Sequence, residues 1–167
     1  MKAKTEKNLL AAFAGESQAH MKYKAFAVKA EQEGLTNIAR LFKANSYAEQ
    51  IHATNHLRTL SGIKATTDNL EGAIAGETYE VTEMYPEFIS VGEEEGEKAA
   101  LFSYNAALAA EKVHNELYKR AKEVADQGQD ADFPPIHVCS VCGFTVEGDA
   151  PDSCPVCNAA KDKFEAF

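Results

Sequence analysis

Acidic and imidazole side chains recur in this chain in a duplicated pattern able to hold a pair of metal ions. Glu16 lies in Ala14-Gly15-Glu16 and is followed by Glu49-Gln50-Ile51-His52, while Glu77 lies in Ala75-Gly76-Glu77 and is followed by Glu111-Lys112-Val113-His114. The lone glutamates are 61 residues apart and the Glu-x-x-His pairs 62. On a helix, Glu and His three positions apart share a face. One Glu from each of two helices, joined by Glu-x-x-His from each of two others, is the ligand set that di-metal carboxylate bundles project inward.

Four helices are needed to position these groups, and the apolar pattern supplies them. The stripe of the first helix runs Leu9, Phe13, Glu16, His20, Tyr23 and Ala27, and that of the second Ile38, Leu41, Asn45, Glu49 and His52, with His56 one turn on. The third reads Leu70, Ile74, Glu77, Val81, Met84, Phe88 and Val91, and the fourth Leu101, Tyr104, Leu108 and Glu111, with His114 beside it. Heptad-like stripes of this kind belong to the interior of a bundle. An ionised carboxylate there is costly unless compensated. The three arginines, Arg40, Arg58 and Arg120, cannot rescue four buried acids, so cations are the economical solution. Surface acids on solvated faces are the ordinary fate of Glu, and the duplication argues against it here. Glu80, whose counterpart in the first half is Ala19, lies one turn from Glu77. Spacing leaves it either a fifth carboxylate ligand or a flanking acid like Glu83 and Glu87.

Composition agrees with this architecture. The first 130 residues are rich in Ala, Glu, Lys and Leu and contain one proline, Pro86, which suits long helices. Glu33-Gly34 ends the first helix, Ser61-Gly62 the second, Asp68 is the candidate N-cap for the third, and Gly92 and Gly96 bracket the turn after it. The domains expected are residues 1–127, a linker at 128–135 and a small module at 136–167. The net charge of −9 argues against nucleic-acid or anionic-membrane partners. No apolar run approaches the roughly 20 residues that span a bilayer, and Met1 to Phe13 reads as the start of a cytoplasmic helix rather than a signal peptide.

All four cysteines fall in the last module, as Cys139-Ser-Val-Cys142-Gly and Cys154-Pro-Val-Cys157-Asn. Two Cys-x-x-Cys knuckles at this separation are a strong signal for one tetrahedral metal. Two disulfides are the weaker alternative, because nothing indicates secretion. Gly143 and Asn158, after each second cysteine, both tolerate the left-handed backbone of a tight turn. Zinc and iron both accept four thiolates, so the spacing leaves the metal open.

Taken together, these segments resemble the rubrerythrin family over essentially the whole chain. Ala14-Gly15-Glu16-Ser17-Gln18-Ala19 and Gly76-Glu77-Thr78-Tyr79-Glu80 through Tyr85-Pro86 are similar to its ferritin-like di-iron domain, and His137 to Cys157 is similar to rubredoxin. The resemblance implies a mainly α fold, a ferritin-like four-helix bundle followed by a small rubredoxin-like four-cysteine iron domain. It implies a di-iron centre, oxo-bridged when oxidised, with ligands Glu16, Glu49, His52, Glu77, Glu80, Glu111 and His114, in which Glu49 and Glu111 bridge. It also implies one further iron on Cys139, Cys142, Cys154 and Cys157. His52 and Glu80 become the pair exchanged at one iron on oxidation, and Tyr23 and Tyr85 match tyrosines that hydrogen-bond ligand carboxylates. His20 and His56 match no ligand and are expected to be structural or to support the ligands. Asn158 replaces the usual glycine without threatening the metal.

The activity so implied is reduction of hydrogen peroxide to water in oxidative stress defence, with electrons passing singly through the thiolate-bound iron. The chain has no Gly-x-Gly-x-x-Gly, so the electrons must come from an external donor protein or reductase. An iron-storage or ferroxidase protein shares the bundle but needs no four-cysteine electron entry, and a zinc-stabilised scaffold would need no redox chemistry. A homodimer is expected from reach. The second and third helices of such bundles run parallel, leaving a gap of about 33 Å, whereas residues 62–68 span at most about 25 Å. Helices one and two of one copy are therefore expected to pack with three and four of another.

Overall fold

The computed structural model describes all 167 residues, in two compact units, Met1–Lys64 and Ala65–Phe167. The first is a helical hairpin of α1 (Ala3–Gln32) and α2 (Thr36–Thr59). Gly34, at φ 75°, reverses the chain, and the Leu35 N–H closes the turn on the Ala30 carbonyl at 2.8 Å. Small residues line the seam, Ala27, Ala30, Ala39 and Ala53 all being buried. A polar clasp pins the register: His20 Nδ1 lies 2.9 Å from the Ser46 carbonyl, and the Ser46 hydroxyl donates to the His20 carbonyl at 2.9 Å. His20 is thus structural, as expected. Ile38 and Leu41, on the inward stripe, remain 46% and 58% exposed, because a two-helix hairpin covers only one side of each helix.

The second unit runs α3 (Thr66–Tyr79), a π-helical turn (Glu80–Met84), α4 (Tyr85–Glu95) and α5 (Lys98–Ala125), followed by a small sheet of β1 (Ile136–Cys139), β2 (Thr145–Glu147) and β3 (Phe164–Ala166). The sheet is antiparallel in the order β2-β1-β3. Asp68 is not the N-cap of α3: Ala65 takes the extended conformation before the helix, and Asp68 sits in the first turn, where its charge meets the helix dipole. Gly92 is not in a turn either. It lies buried inside α4, where a side chain would press on Leu101 at 3.0 Å, so the glycine lets α5 approach closely. Gly96, at φ 73°, makes the actual reversal.

Two side-chain contacts join the small module to α5, and a third joins α5 to the linker before it. Arg120 forms a two-pronged pair with Glu147, one prong at 2.8 Å, and lies over the Phe133 ring at 5.2 Å. His114 Nε2 meets the Thr145 hydroxyl at 2.8 Å. No helix is long and apolar enough to cross a membrane.

Candidate metal centres

Each unit gathers one Glu–Glu–His triad from two helices. In the second, Glu77 on α3 meets Glu111 and His114 on α5, with donor atoms all within 4.8 Å of one another. His114 Nδ1 lies 2.7 Å from Glu111 Oε2 and 3.8 Å from Glu77 Oε1. Donors sharing one cation at bond lengths near 2.1 Å sit about 3 Å apart, so this geometry suits joint ligation. Glu77 Oε2 is buried and has no hydrogen-bond partner. Burial, the Glu111 carboxyl bonded beside it and the charges of Glu111 and Glu80 push the Glu77 carboxyl up to about 8. Two close carboxylates cannot both ionise cheaply without a counter-charge. An orphaned oxygen in a knot of mutually repelling acids is what a cation would relieve, and the donor set fits iron.

In the first unit Glu16 on α1 meets Glu49 and His52 on α2, again within 4.8 Å. His52 Nδ1 lies 2.8 Å from Glu49 Oε2, copying the His114–Glu111 contact. The local reason is the same in both halves: Glu and His three residues apart on one helix face aim their heads at one point. The His52 ring is 54% exposed against 31% for His114.

The halves diverge at the π turn. Tyr85 N–H bonds the Glu80 carbonyl five residues back, so one extra residue is accommodated between Glu77 and Tyr85. This accounts for the change of repeat offset from 61 at Glu16/Glu77 to 62 at Tyr23/Tyr85 and onward. Pro86 helps to hold it, since proline lacks the N–H of a regular helix and crowds the carbonyl four residues earlier. Glu80 opens the turn. It lies outside the tight triad, but burial and the Glu111 charge raise its pKa while His114 lowers it, placing it in the same electrostatic neighbourhood.

Tyr85 also faces this cluster: burial and the charges of Glu111, Glu80 and Glu77 raise its pKa. Tyr23 packs against aromatic rings, 6.3 Å from Phe26 and 6.1 Å from Phe42. Tyr85, Phe88 and Tyr104 form the matching trio, at 6.3, 6.4 and 5.6 Å. Both trios follow the 62-residue offset, so the repeat extends from the ligands to the aromatic residues that pack beside them. Reasoning from sequence also missed Asn115, buried on α5, which donates to the Thr78 hydroxyl at 2.8 Å and the Ile74 carbonyl at 3.2 Å, locking α3 to α5. His56 belongs to neither triad.

In the small module the four cysteines converge as free thiols. Cys139 and Cys157 sulfurs lie 3.7 Å apart, and Cys142 and Cys154 sulfurs 3.6 Å, close to the edge of about 3.8 Å for a tetrahedron with 2.3 Å metal–sulfur bonds. The knuckles repeat each other. Gly143 N–H bonds the Cys139 carbonyl and Cys139 N–H the Phe144 carbonyl, as Asn158 N–H bonds the Cys154 carbonyl and Cys154 N–H the Ala159 carbonyl, all at 2.8 to 2.9 Å. Gly143 and Asn158 take positive φ of 80° and 60°, the left-handed turns expected. Burial opposes ionisation of Cys139, yet backbone N–H groups of Val141 and Cys142 and the neighbouring thiols prevail and lower it to about 7, whereas burial lifts Cys142 to about 12. Such unequal thiols become equivalent only when a metal takes all four protons' places.

Known proteins share both parts. The rubrerythrin family model matches residues 7–122, and a model described as the rubredoxin-like domain of rubrerythrin matches 137–165. The chain is 38% identical to rubrerythrin-2 of Clostridium acetobutylicum, covering 99% of this chain and 97% of that protein. It is 37% identical to nigerythrin of Nitratidesulfovibrio vulgaris, covering 98% and 86%. A solved structure described as the fully reduced, all-ferrous state of nigerythrin superposes with a TM-score of 0.56 at 36% identity, covering 98% of this chain and 86% of that one. The donor groups of a di-iron centre and of a four-cysteine iron site are therefore both present on a mainly helical, ferritin-like fold with a rubredoxin-like C-terminal module. The chain belongs to the rubrerythrin family of oxidoreductases.

Proposed function

We propose that the protein is a non-haem di-iron peroxidase acting in the cytoplasm in oxidative stress defence, reducing hydrogen peroxide to water with electrons delivered through its thiolate-bound iron. The observation that carries this reading is the presence, in one chain, of a duplicated Glu–Glu–His triad and a four-thiolate tetrahedron. A carboxylate-rich pair of metals can face a small oxidant, while a closed four-sulfur site passes single electrons. Working units are residues 1–127 for the di-iron domain and 136–167 for the electron-entry domain, with 128–135 as linker. An external donor protein or reductase supplies the electrons, since the chain has no nucleotide-binding glycine motif.

The residues that would hold the two irons are Glu16, Glu49, His52, Glu77, Glu80, Glu111 and His114. When bound, the irons supply Lewis acidity and the two electrons that, with two protons, convert one hydrogen peroxide into two waters. The protein's own side chains set the conditions. Glu80, disfavoured as an anion by burial and Glu111, gains most when positive charge rises nearby. His52, half-exposed and hydrogen-bonded to Glu49, has room to swing aside, and these two residues would be the ones to trade places as ligands. Tyr85 keeps its phenolic proton, because burial and three carboxylates raise its pKa, and can donate it to a ligand carboxylate. Tyr23, the matching tyrosine on α1, would donate its hydroxyl proton to a ligand carboxylate of the other half.

The two triads would meet in a domain-swapped homodimer. With α2 ending at Thr59 and α3 starting at Thr66, parallel helices would need the connection to span about 31 Å, beyond its reach of about 25 Å. Exposed Leu10, Leu41 and Ile51 on the α1–α2 hairpin also favour a covering partner. Co-expression tests this directly. Glu16→Ala and Glu77→Ala chains, each unable to fill the site alone, regain one intact site per mixed dimer if swapped and none if each chain builds its own.

Iron analysis followed by anaerobic reduction and peroxide addition tests the activity. Three irons per chain, and one peroxide consumed per two electrons with reoxidation of the thiolate-bound iron, are expected. Iron accumulating far beyond three per chain with slow peroxide use would replace this reading with storage, and a colourless zinc protein would replace it with a scaffold.

A further inference from the structure

The far nitrogen of His114 is held by a residue that belongs to the electron-entry module. Thr145, at the start of β2 and three residues after Cys142, is 3% exposed, and its Oγ1 lies 2.8 Å from His114 Nε2. The same hydroxyl donates its one proton to the Gly143 carbonyl at 3.2 Å. A threonine hydroxyl with its proton committed can only accept from the imidazole. With Nε2 carrying the ring proton, the Nδ1 lone pair is available to a cation shared with Glu111 and Glu77, whose oxygens lie 2.7 and 3.8 Å from it. The pair lines a cavity of about 420 Å³ otherwise walled by Leu70, Leu117, Tyr118 and Phe133 among others, groups that offer the imidazole N–H little competition. The corresponding ring of His52 is more exposed, and its one hydrogen bond is the Nδ1 contact with Glu49.

We infer that Thr145 is a positioning residue for His114, fixing the tautomer and ring orientation that present Nδ1 to the di-metal site, so that seating of the four-cysteine module completes that site. The inference rests on the di-metal reading above. Histidine ligands are generally oriented by a hydrogen bond from their second nitrogen, whose loss typically weakens metal binding 10- to 100-fold. Here that bond comes from the neighbouring module rather than from the helices that carry the ligands.

The full-length chain loaded with zinc, which is diamagnetic, allows a test independent of turnover. In wild type, ¹⁵N NMR of histidine-labelled protein should show His114 protonated at Nε2, with slow exchange of that proton. Thr145→Val should lose the slow exchange and bind zinc at the di-metal site roughly 10- to 100-fold more weakly, and Thr145→Ser should restore both. The iron-loaded variants should keep the visible band of the iron–thiolate site, so a folding defect would be seen separately. Unchanged zinc affinity and unchanged exchange in Thr145→Val would overturn the positioning role while leaving the di-metal reading intact. Wild type taking up only the thiolate-bound ion would overturn both.

Discussion

The hairpin of α1 and α2 and the segment from α3 to α5 carry the same donors in the same local geometry, yet the second holds features that the first lacks. Both hold His Nδ1 within 2.8 Å of a carboxylate three residues earlier, and both stack an aromatic trio on the same offset. Only the second has an inserted residue, an extra acid at Glu80, an orphaned oxygen on Glu77 and a histidine clamped from outside its helices. Repetition supplies a frame of ligands, and the chemistry resides in what departs from it.

Removing a shared element should erase the distinction. Glu49→Ala and Glu111→Ala each delete one carboxylate of a triad, one from each half. Iron should fall from three to one per chain in both, with the iron–thiolate visible band intact and peroxide turnover lost. Metal analysis showing one half dispensable would mean that the triads do not serve a common site.

Cutting out the insertion tests whether the π turn matters for activity rather than for folding. Deleting Thr82 and replacing Pro86 by Lys, the residue at the matching position 24, makes the second half follow the spacing of the first. The helix should keep its thermal stability or gain some, since a regular helix replaces a poorly hydrogen-bonded turn. Peroxide turnover should fall by about 100-fold or more, as expected when a positioned group is displaced. A melting curve paired with an assay separates the two effects.

Glu80→Ala is narrower. Both irons should remain, because the two triads are untouched, while turnover drops roughly 10- to 100-fold. Undiminished turnover would make Glu80 a flanking acid and the two halves functionally alike.

The ligand frame was legible in the sequence because metal ligation imposes both residue type and helical spacing, and the thiolate knuckles were legible for the same reason. The π turn was present as a shift in offset from 61 to 62, but a single extra residue in an otherwise helical pattern has no compositional mark. Asn115 and Thr145 could not be read, because an isolated polar residue shows its partner only after the chain has folded. The start at Ala65 was misread because α3 has no side-chain cap to mark it, and the buried Gly92 because its glycine serves the packing of α5 against α4.

The smallest effect concerns the strained acid pair when no metal is bound. Glu77, next to Glu111, holds its proton to about 8, well above the ordinary carboxylate range, mainly because of burial. The folded apoprotein therefore binds a proton that the unfolded chain releases near 4.5. Stability from this group is fully present below about 4.5 and is lost as pH rises to about 8. Residual water around the carboxyl screens the full shift, so the expected loss is about 2 kcal/mol. Glu77→Gln, which mimics the protonated acid at every pH, should remove that slope, and urea melts of the two apoproteins at pH 5, 6.5 and 8 would measure it. With metal bound the sign reverses, since the cation needs the ionised acid and is displaced by protons as pH falls. Parallel slopes for wild type and Glu77→Gln would mean that Glu77 is not the acid that holds the proton.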